Sequence, residues 1–250
     1  MTLFGKKVPP IFSLVLWMIL WEVIGRSNLI FIIPPLSSVL RATTEVVRVS
    51  TFYNDVMGSL KSFLLGLGLS MGIGIPMGFL MGRFQKVDEM LSTWVNIFIS
   101  APVTALVPII MVIFGIGERT VTVTVFMFSL WPLVLDTRAG VRHINTSLIE
   151  MARVFGATPA EVCYKIMFWA ALPEILVGLK LSVIRGVRGV IVGQLLLAVT
   201  GLGRLCLTYS EYFLMDKFFA LLLFILAFAW GLSSVVSYLE RKVERFAKGR

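Results

Sequence analysis

Residues 145–173 read NTSLIEMARVFGATPAEVCYKIMFWAALP, a partly polar segment between two long apolar runs of the chain. Ser147 and Glu150 have the spacing of a capping box, in which a hydroxyl and a carboxylate bind free N–H groups at the start of a helix. We expect the apolar surface of this first helix to bind a groove on another protein. The residues that form this surface are Leu148, Ile149, Met151, Ala152 and Phe155.

A second helix start follows within the same segment. Thr158 and Glu161 form another capping box, and Pro159 suits the first position of the helix. Gly156 lies between the two helices, where a chain that leaves a helix often needs a left-handed residue. The segment therefore predicts a helix–turn–helix between two apolar runs.

The apolar runs indicate that the solvent of this chain is lipid. Of its 250 residues, 58% are apolar and 15% are charged, with a mean hydropathy of +0.91, and a soluble domain of this size needs more surface charge. Several runs approach the roughly 20 residues that cross about 30 Å of hydrocarbon. We therefore expect an all-α polytopic membrane protein with about six transmembrane helices. The candidate spans are 11–24, 59–81, 94–114, 120–135, 175–199 and 218–238.

Basic residues predict the orientation of these spans. Lys and Arg are more numerous on the side shared by both termini, which places the N- and C-termini in the cytoplasm. We divide the chain into a first helix with a periplasmic interfacial segment (1–57), a transmembrane core (58–240) and a basic cytoplasmic tail (241–250). Within the first part, residues 34–49 (PPLSSVLRATTEVVRV) predict an amphipathic interfacial helix with a serine cap.

Several function classes are excluded by the same sequence. The net charge of +9 lies mainly at the ends of apolar runs, as expected for anionic lipid and not for nucleic acid. Cys163 and Cys206 fall on opposite sides of the predicted membrane, and no metal-ligand spacing occurs. A glycine loop followed by lysine that could cradle phosphates is also missing, so we expect a non-catalytic subunit that binds no cofactor itself.

The segment 145–173 resembles the "EAA" signature of permease subunits from binding-protein-dependent ATP-binding-cassette (ABC) importers. The residues that match the signature are Glu150, Ala152, Gly156, Ile166 and Pro173. The usual pair of alanines after the glutamate is offset, since Met151 takes the first position and Ala152 the second. The resemblance places the chain in a bacterial inner membrane. The resemblance implies a type I importer fold in which this loop is the coupling helix on a cytoplasmic ATPase dimer, which binds ATP and magnesium. It further implies a periplasmic binding protein and a second copy of the chain as partners. The implied ATPase-coupling residues are Glu150, Ala152, Arg153, Gly156, Ala157, Ile166 and Pro173.

Further stretches are similar to the nitrate/sulfonate/taurine-type branch of that family. They cover most of the chain and include residues 74–83 (GIPMGFLMGR), residues 114–118 (FGIGE) and residues 201–205 (GLGRL). The branch implies import of a small organic or inorganic anion, such as a sulfonate, a carboxylate or nitrate. The branch also includes importers of neutral or cationic vitamin and pyrimidine precursors, so a solute of that kind is the alternative. A self-sufficient secondary transporter or channel, or a membrane scaffold, is the rival from another class.

Three polar residues in the fifth predicted span are candidates for the solute pathway. Arg185 and Arg188 share one helix face, and a charge at this depth should face water, a partner or a substrate. Gln194 lies deeper and is a weaker candidate, at a place where members of the branch often carry a glutamate. The alternatives for the arginines are snorkelling or pairing with backbone carbonyls, or signalling to the ATPase.

Overall fold

Helices make up nearly all of the structure, a computed structural model that describes residues 2–3, 6–7, 10–27, 30, 32–197 and 201–248. The all-α expectation is confirmed, and one two-residue antiparallel pair joins Thr2–Leu3 (β1) to Lys6–Lys7 (β2). The helices are α1 (Pro10–Arg26), α2 (Leu36–Arg48), α3 (Phe52–Arg83), α4 (Gln85–Ser100), α5 (Val103–Phe114), α6 (Glu118–Arg142), α7 (Thr146–Val154), α8 (Pro159–Glu161), α9 (Phe168–Leu197), α10 (Gly201–Glu211) and α11 (Met215–Lys248).

Among the described residues, three helices are long and apolar enough to cross a membrane by themselves. They are Phe52–Arg83, Glu118–Arg142 and Met215–Lys242, and they contain the second, fourth and sixth predicted spans. Two bent helix pairs raise this number to five if each pair is one span. Helix α1 has 17 residues, slightly fewer than the roughly 20 of a typical span.

The third predicted span, 94–114, is not one straight helix. Helix α4 ends at Ser100, α5 begins at Val103, and their axes differ by 99°. Ala101 is extended, with φ −68° and ψ 140°, because the ring of Pro102 disfavours a helical conformation for the residue before it. The bend changes the direction of the apolar run and leaves a cavity beside the junction of α4 and α5.

The fifth predicted span, 175–199, begins earlier than expected. A continuous helix starts at Pro159, passes through a π-helical segment at Val162–Met167 and ends at Leu197. Pro173 lies inside this helix and does not end it. Helix α10 follows at an angle of 54°. Val199, the predicted end of the span, lies outside the described residues.

Helix α6 packs against α3 through a row of small residues. Gly74, Gly78 and Gly82 recur every fourth residue along α3, and α6 lies directly on them. A Cβ atom added to Gly78 would lie 2.5 Å from the carbonyl oxygen of Val134. Ser70 continues the row, and its hydroxyl donates to the carbonyl of Phe126 at 3.1 Å. The two backbones therefore meet without intervening side chains, as small residues permit in lipid.

The opposite side of α6 packs in the same way on α9. Ser129 and Ser182 each donate a hydrogen bond to the other's backbone carbonyl, at 3.0 and 2.7 Å. Gly186 and Gly189 of α9 face Ser129 and Phe128 of α6. Helices α3, α6 and α9 thus form the centre of the bundle.

The amphipathic helix predicted in residues 34–49 is present as α2. It buries Val39, Ala42 and Val46 in a cluster with residues of α10 and α11, so it packs on protein on this face. The predicted serine cap is wrong, because Pro35 occupies the N-cap and makes no side-chain cap. Ser37 instead donates its hydroxyl and its N–H to Glu22 of α1, both at 2.9 Å.

Replacing Gly78 with alanine is expected to lower the free energy of unfolding by about 1–3 kcal/mol, because the methyl group must displace the α6 backbone. Gly72→Ala on the same helix is the matched control, since a Cβ there meets no atom within 4 Å. The thermal midpoints of the purified proteins measure the difference. Equal midpoints would show that α3 and α6 are not held at this distance.

Candidate functional site

The first helix of the loop, α7, begins differently from the prediction. Asn145 is its N-cap, and the Asn145 side chain accepts a hydrogen bond from the N–H of Ser147 at 3.0 Å. The expected capping box at Ser147 and Glu150 is therefore wrong. Asparagine is at least as good a cap as serine, and its position two residues earlier sets the helix start.

The turn after α7 is confirmed. Gly156 has φ +81°, the left-handed conformation that glycine adopts without a Cβ penalty. Its N–H donates to the carbonyl of Arg153 at 2.9 Å, and the N–H of Ala157 donates to the carbonyl of Ala152 at 3.0 Å. These bonds satisfy carbonyls at the end of α7 and turn the chain towards the next helix.

The second capping box is also confirmed. The N–H and the hydroxyl of Thr158 donate to Glu161 at 3.0 and 2.9 Å, the N–H of Glu161 donates back to the Thr158 hydroxyl, and Pro159 occupies the first turn. The hydrogen bond from the Lys165 ammonium and the bond from the Thr158 N–H lower the pKa of Glu161 to about 2. Glu161 is therefore charged at neutral pH, and the box stays formed.

Helix α7 has one buried and one exposed apolar face. Ala152 is 5% exposed and packs with Val162 and Met167, with Ile149 and Ile166 partly buried beside them. The other side carries four exposed large side chains, which we call the docking face. Val154 and Phe155 are 86% and 84% exposed. The docking face consists of Leu148, Met151, Val154 and Phe155.

The remaining predicted coupling residues lie on both sides of the turn. Glu150 and Arg153 are exposed on α7, Ala157 is partly buried in the turn, and Pro173 lies in the first turns of α9. The loop thus joins the C-terminal end of α6 to the start of the continuous helix that contains α9. Movement of α7 would therefore act on two of the three central helices.

A partly buried ion-pair cluster lies beside this loop and was not predicted from the sequence. Asp88 of α4 is 6% exposed and pairs with Arg138 and Arg142 at the end of α6, at 2.5 Å each. These residues are 50 and 54 positions apart, and no local pattern relates them. The cluster ties the N-terminal part of α4 to the end of α6, immediately before α7.

The two candidate pathway arginines line one pocket, which we call the arginine pocket. Its volume is about 310 Å³, and it lies between the corner of the α4–α5 bend, α6, and Arg185 and Arg188 of α9. Trp131 of α6 stacks on Phe98 of α4 at 4.8 Å and forms part of its wall. Among the described residues that line it, none is acidic. The pocket therefore combines guanidinium groups with aromatic and apolar surface.

The two arginines differ in their surroundings. Arg185 interacts electrostatically with Asp136 of α6. Arg188 makes no hydrogen bond or ion pair with any other residue that the structure describes. An unpaired guanidinium within a membrane helix is costly unless water or an anion accompanies it. Arg188 is thus the one of the two arginines that lacks a counter-charge among the described residues.

Gln194, the third candidate, lies elsewhere. It is 2% exposed, and its side-chain oxygen accepts from the hydroxyl of Ser59 at 2.9 Å and from the N–H of Gly203 at 3.1 Å. A Cβ added to Gly201 would lie 2.1 Å from its amide nitrogen. The structure therefore does not bring Gln194 together with the arginines, and its contact with solute stays a prediction.

The start of α10 is bound by side chains of α3 and α9. Besides Gln194, Asp55 accepts from the N–H of Gly201 at 3.0 Å, and the Ser59 hydroxyl accepts from the N–H of Leu202 at 3.0 Å. Asp55 also pairs with Arg204 at 2.9 Å. Three consecutive N–H groups at the helix start are thus satisfied. The glycines of the GLG sequence at residues 201–203 are required because a Cβ at Gly201 or Gly203 would lie 2.1 or 2.4 Å from Gln194.

The described residues thus form a helical membrane protein in which a glycine-turned helix pair lies between two of the central helices. The chain belongs to the family described as the binding-protein-dependent transport system inner membrane component, whose sequence profile matches residues 71–245. The expected family is therefore confirmed.

Relatives of this chain carry permease names, and a solved structure shares its fold. A probable ABC transporter permease of Brucella melitensis is 30% identical over 183 residues, which cover 73% of this chain and 74% of the relative. The taurine transport system permease of Escherichia coli is 26% identical over 92% of this chain and 86% of its own length. The inward-facing methionine ABC transporter has the same fold, with a TM-score of 0.69, 22% identity and coverage of 77% of this chain and 95% of that one.

Changing Asp55 to asparagine is expected to lower the free energy of unfolding by about 1–3 kcal/mol, because the variant leaves Arg204 without its charge partner. Glu118→Gln is the matched control. Glu118 pairs with Lys61 at 2.8 Å, but both side chains are about half exposed, so its loss should cost less than about 1 kcal/mol. The thermal midpoints of both variants are measured in the same detergent. A larger decrease for Glu118→Gln than for Asp55→Asn would contradict a stabilising role of the pair between Asp55 and Arg204.

Proposed function

We propose that this chain is the membrane-spanning subunit of an ATP-driven importer for a small anionic solute. A cytoplasmic ATPase dimer supplies the energy, and a periplasmic binding protein delivers the solute. Two copies of the chain form the translocation pathway, with N- and C-termini in the cytoplasm. The observation that carries the proposal is the docking face of α7, an exposed apolar surface attached to two central helices of the bundle.

The docking face supports an ATPase partner. Four large apolar side chains exposed on one short helix are unfavourable in water and suit a hydrophobic groove on another protein. Closure of the ATPase dimer on ATP would move α7. That motion would pass to α6 directly, to α9 through the continuous helix from Pro159, and to α4 through Asp88. Switching then occurs as a rigid-body rearrangement of packed helices.

The arginine pocket supports an anionic solute. Guanidinium groups bind carboxylate, sulfonate or nitrate through charge-assisted hydrogen bonds, and the described lining offers no acid to a cation. Taurine, a molecule with a sulfonate group, is the solute named for the Escherichia coli relative. A neutral or cationic vitamin precursor is the second candidate, and it would leave Arg188 without a counter-charge.

Phe155→Asp is expected to reduce the amount of ATPase that co-purifies with the chain at least tenfold, because it places a charge in an apolar interface whose buried aromatic anchors contribute most of the binding energy. Tyr53→Asp is the control, since Tyr53 is an aromatic residue of α3 that is 65% exposed outside the loop. Quantitative pull-down of the cognate ATPase measures the effect. Undiminished capture by the Phe155 variant would contradict docking on α7.

Arg188→Ala is expected to lower ATP-dependent solute uptake about tenfold or more while the complex stays assembled, because it removes charge-assisted bonds to the anion. Arg41→Ala is the control, because Arg41 is an exposed arginine of α2 outside the pocket. Uptake into proteoliposomes is measured with the binding protein present. Unchanged uptake in the assembled Arg188 variant would remove the arginine pocket from the solute path.

A further inference from the structure

One face of α11 changes steadily from apolar to charged along the helix. Leu226 is 56% exposed and Trp230 is 75% exposed; serines follow, and then a glutamate and an arginine. At 3.6 residues per turn these positions fall within about one third of the helix circumference. From Leu226 to Arg241 the face is about 22 Å long, close to one leaflet including its headgroups. The polar members are Ser233, Ser234, Ser237, Glu240 and Arg241.

The polar part of this face forms a pocket with α9. The pocket has a volume of about 430 Å³ and is lined by Trp230, the three serines, Glu240 and Arg241 of α11 and by Lys180 of α9. We call it the α9–α11 pocket. It shares no lining residue with the arginine pocket, and no residue of α7 lines it.

The charges of the α9–α11 pocket are only partly neutralised. Lys180 pairs with Glu240 at 3.3 Å, and these side chains are 35% and 17% exposed. Arg241 uses its Nε to donate to the carbonyl of Ser237 at 3.2 Å, which leaves its terminal guanidinium N–H groups available. One positive charge thus remains in the pocket without an acidic partner among the described residues.

The pocket also holds free hydroxyl groups. Ser234 donates to the carbonyl of Trp230 at 2.7 Å. The hydroxyls of Ser233 and Ser237 have no hydrogen-bond partner in the described part of the chain. Hydroxyl groups at membrane depth are unfavourable when unsatisfied, so a polar ligand or water must bind them.

We propose that the α9–α11 pocket binds the headgroup of an anionic phospholipid of the phosphatidylglycerol type. The phosphodiester carries one negative charge and binds Arg241 and Lys180. The glycerol hydroxyls bind Ser233, Ser237 and Glu240, and an acyl chain lies along the Leu226 end of the face, beside Trp230. Basic pockets between membrane helices are established sites for anionic headgroups, and tryptophan favours the interface.

Other occupants fit the pocket less well. A choline headgroup has no hydrogen-bond donor for Glu240 and leaves the positive charge uncompensated. Ethanolamine supplies a donor, but its phospholipid has no net charge. Free phosphate provides the anion without an acyl chain for the apolar end of the face. The combination of charge, hydroxyls and apolar length therefore selects phosphatidylglycerol.

The test uses the full-length chain, stripped of lipid and returned to nanodiscs of phosphatidylcholine with or without phosphatidylglycerol. Bound lipid is counted by native mass spectrometry, and affinity is taken from the rise in thermal midpoint with the fraction of phosphatidylglycerol. We expect retained phosphatidylglycerol and a higher midpoint. An equal effect of phosphatidylethanolamine, or the same protection by inorganic phosphate, would overturn the assignment.

Arg241→Gln should weaken phosphatidylglycerol binding about fivefold, the contribution of one basic side chain near an anionic membrane. Lys242→Gln is the matched control, since Lys242 is the adjacent exposed cation and does not line the pocket, and it should change affinity less than twofold. A double variant, Ser233→Ala with Ser237→Ala, leaves the charge of the pocket unchanged and should also weaken phosphatidylglycerol binding. Equal weakening by Arg241→Gln and Lys242→Gln would show general surface attraction and contradict a specific pocket.

Discussion

The close contact of α6 with α3 and α9 is the constraint on which the rest of the structure depends. In lipid, helices gain little from removing apolar side chains from solvent, so packing and interhelical hydrogen bonds must hold them together. Here glycines such as Gly78 remove the intervening side chains, and the paired bonds of Ser129 and Ser182 fix the register. A larger residue in this row would separate the elements that carry the loop and the arginine pocket.

This central group places distant features on a common support. Helix α6 provides Trp131 to the arginine pocket, while its last turn pairs with Asp88 and leads into α7. Helix α9 provides Arg188 and begins on the other side of the same loop. The loop and the arginine pocket therefore lie on the same two helices, so a displacement of α6 or α9 at the loop would also move residues that line the pocket.

Local sequence signals predicted much of the fold, and long-range contacts account for what was missed. Gly156 and the Thr158–Glu161 box were predictable because their partners lie within a few residues. The cap at Asn145 and the bend before Pro102 also have local causes, but Ser147 offered a competing cap and the apolar run 94–114 resembled a single span. Gln194 bonds Ser59 across 135 positions, so its burial could not be inferred from spacing. The common pocket of Arg185 and Arg188 was anticipated only as a shared helix face.

The bound start of α10 has a consequence for assembly of the chain. Its three N–H groups find acceptors on Asp55, Ser59 and Gln194, which belong to two different helices. The acceptors coincide only when α3 and α9 have the correct axial offset, so a slip of one turn would leave polar groups unsatisfied in lipid. The junction between α9 and α10 therefore stabilises the native axial alignment of the bundle relative to misfolded alignments in which α3 and α9 are shifted.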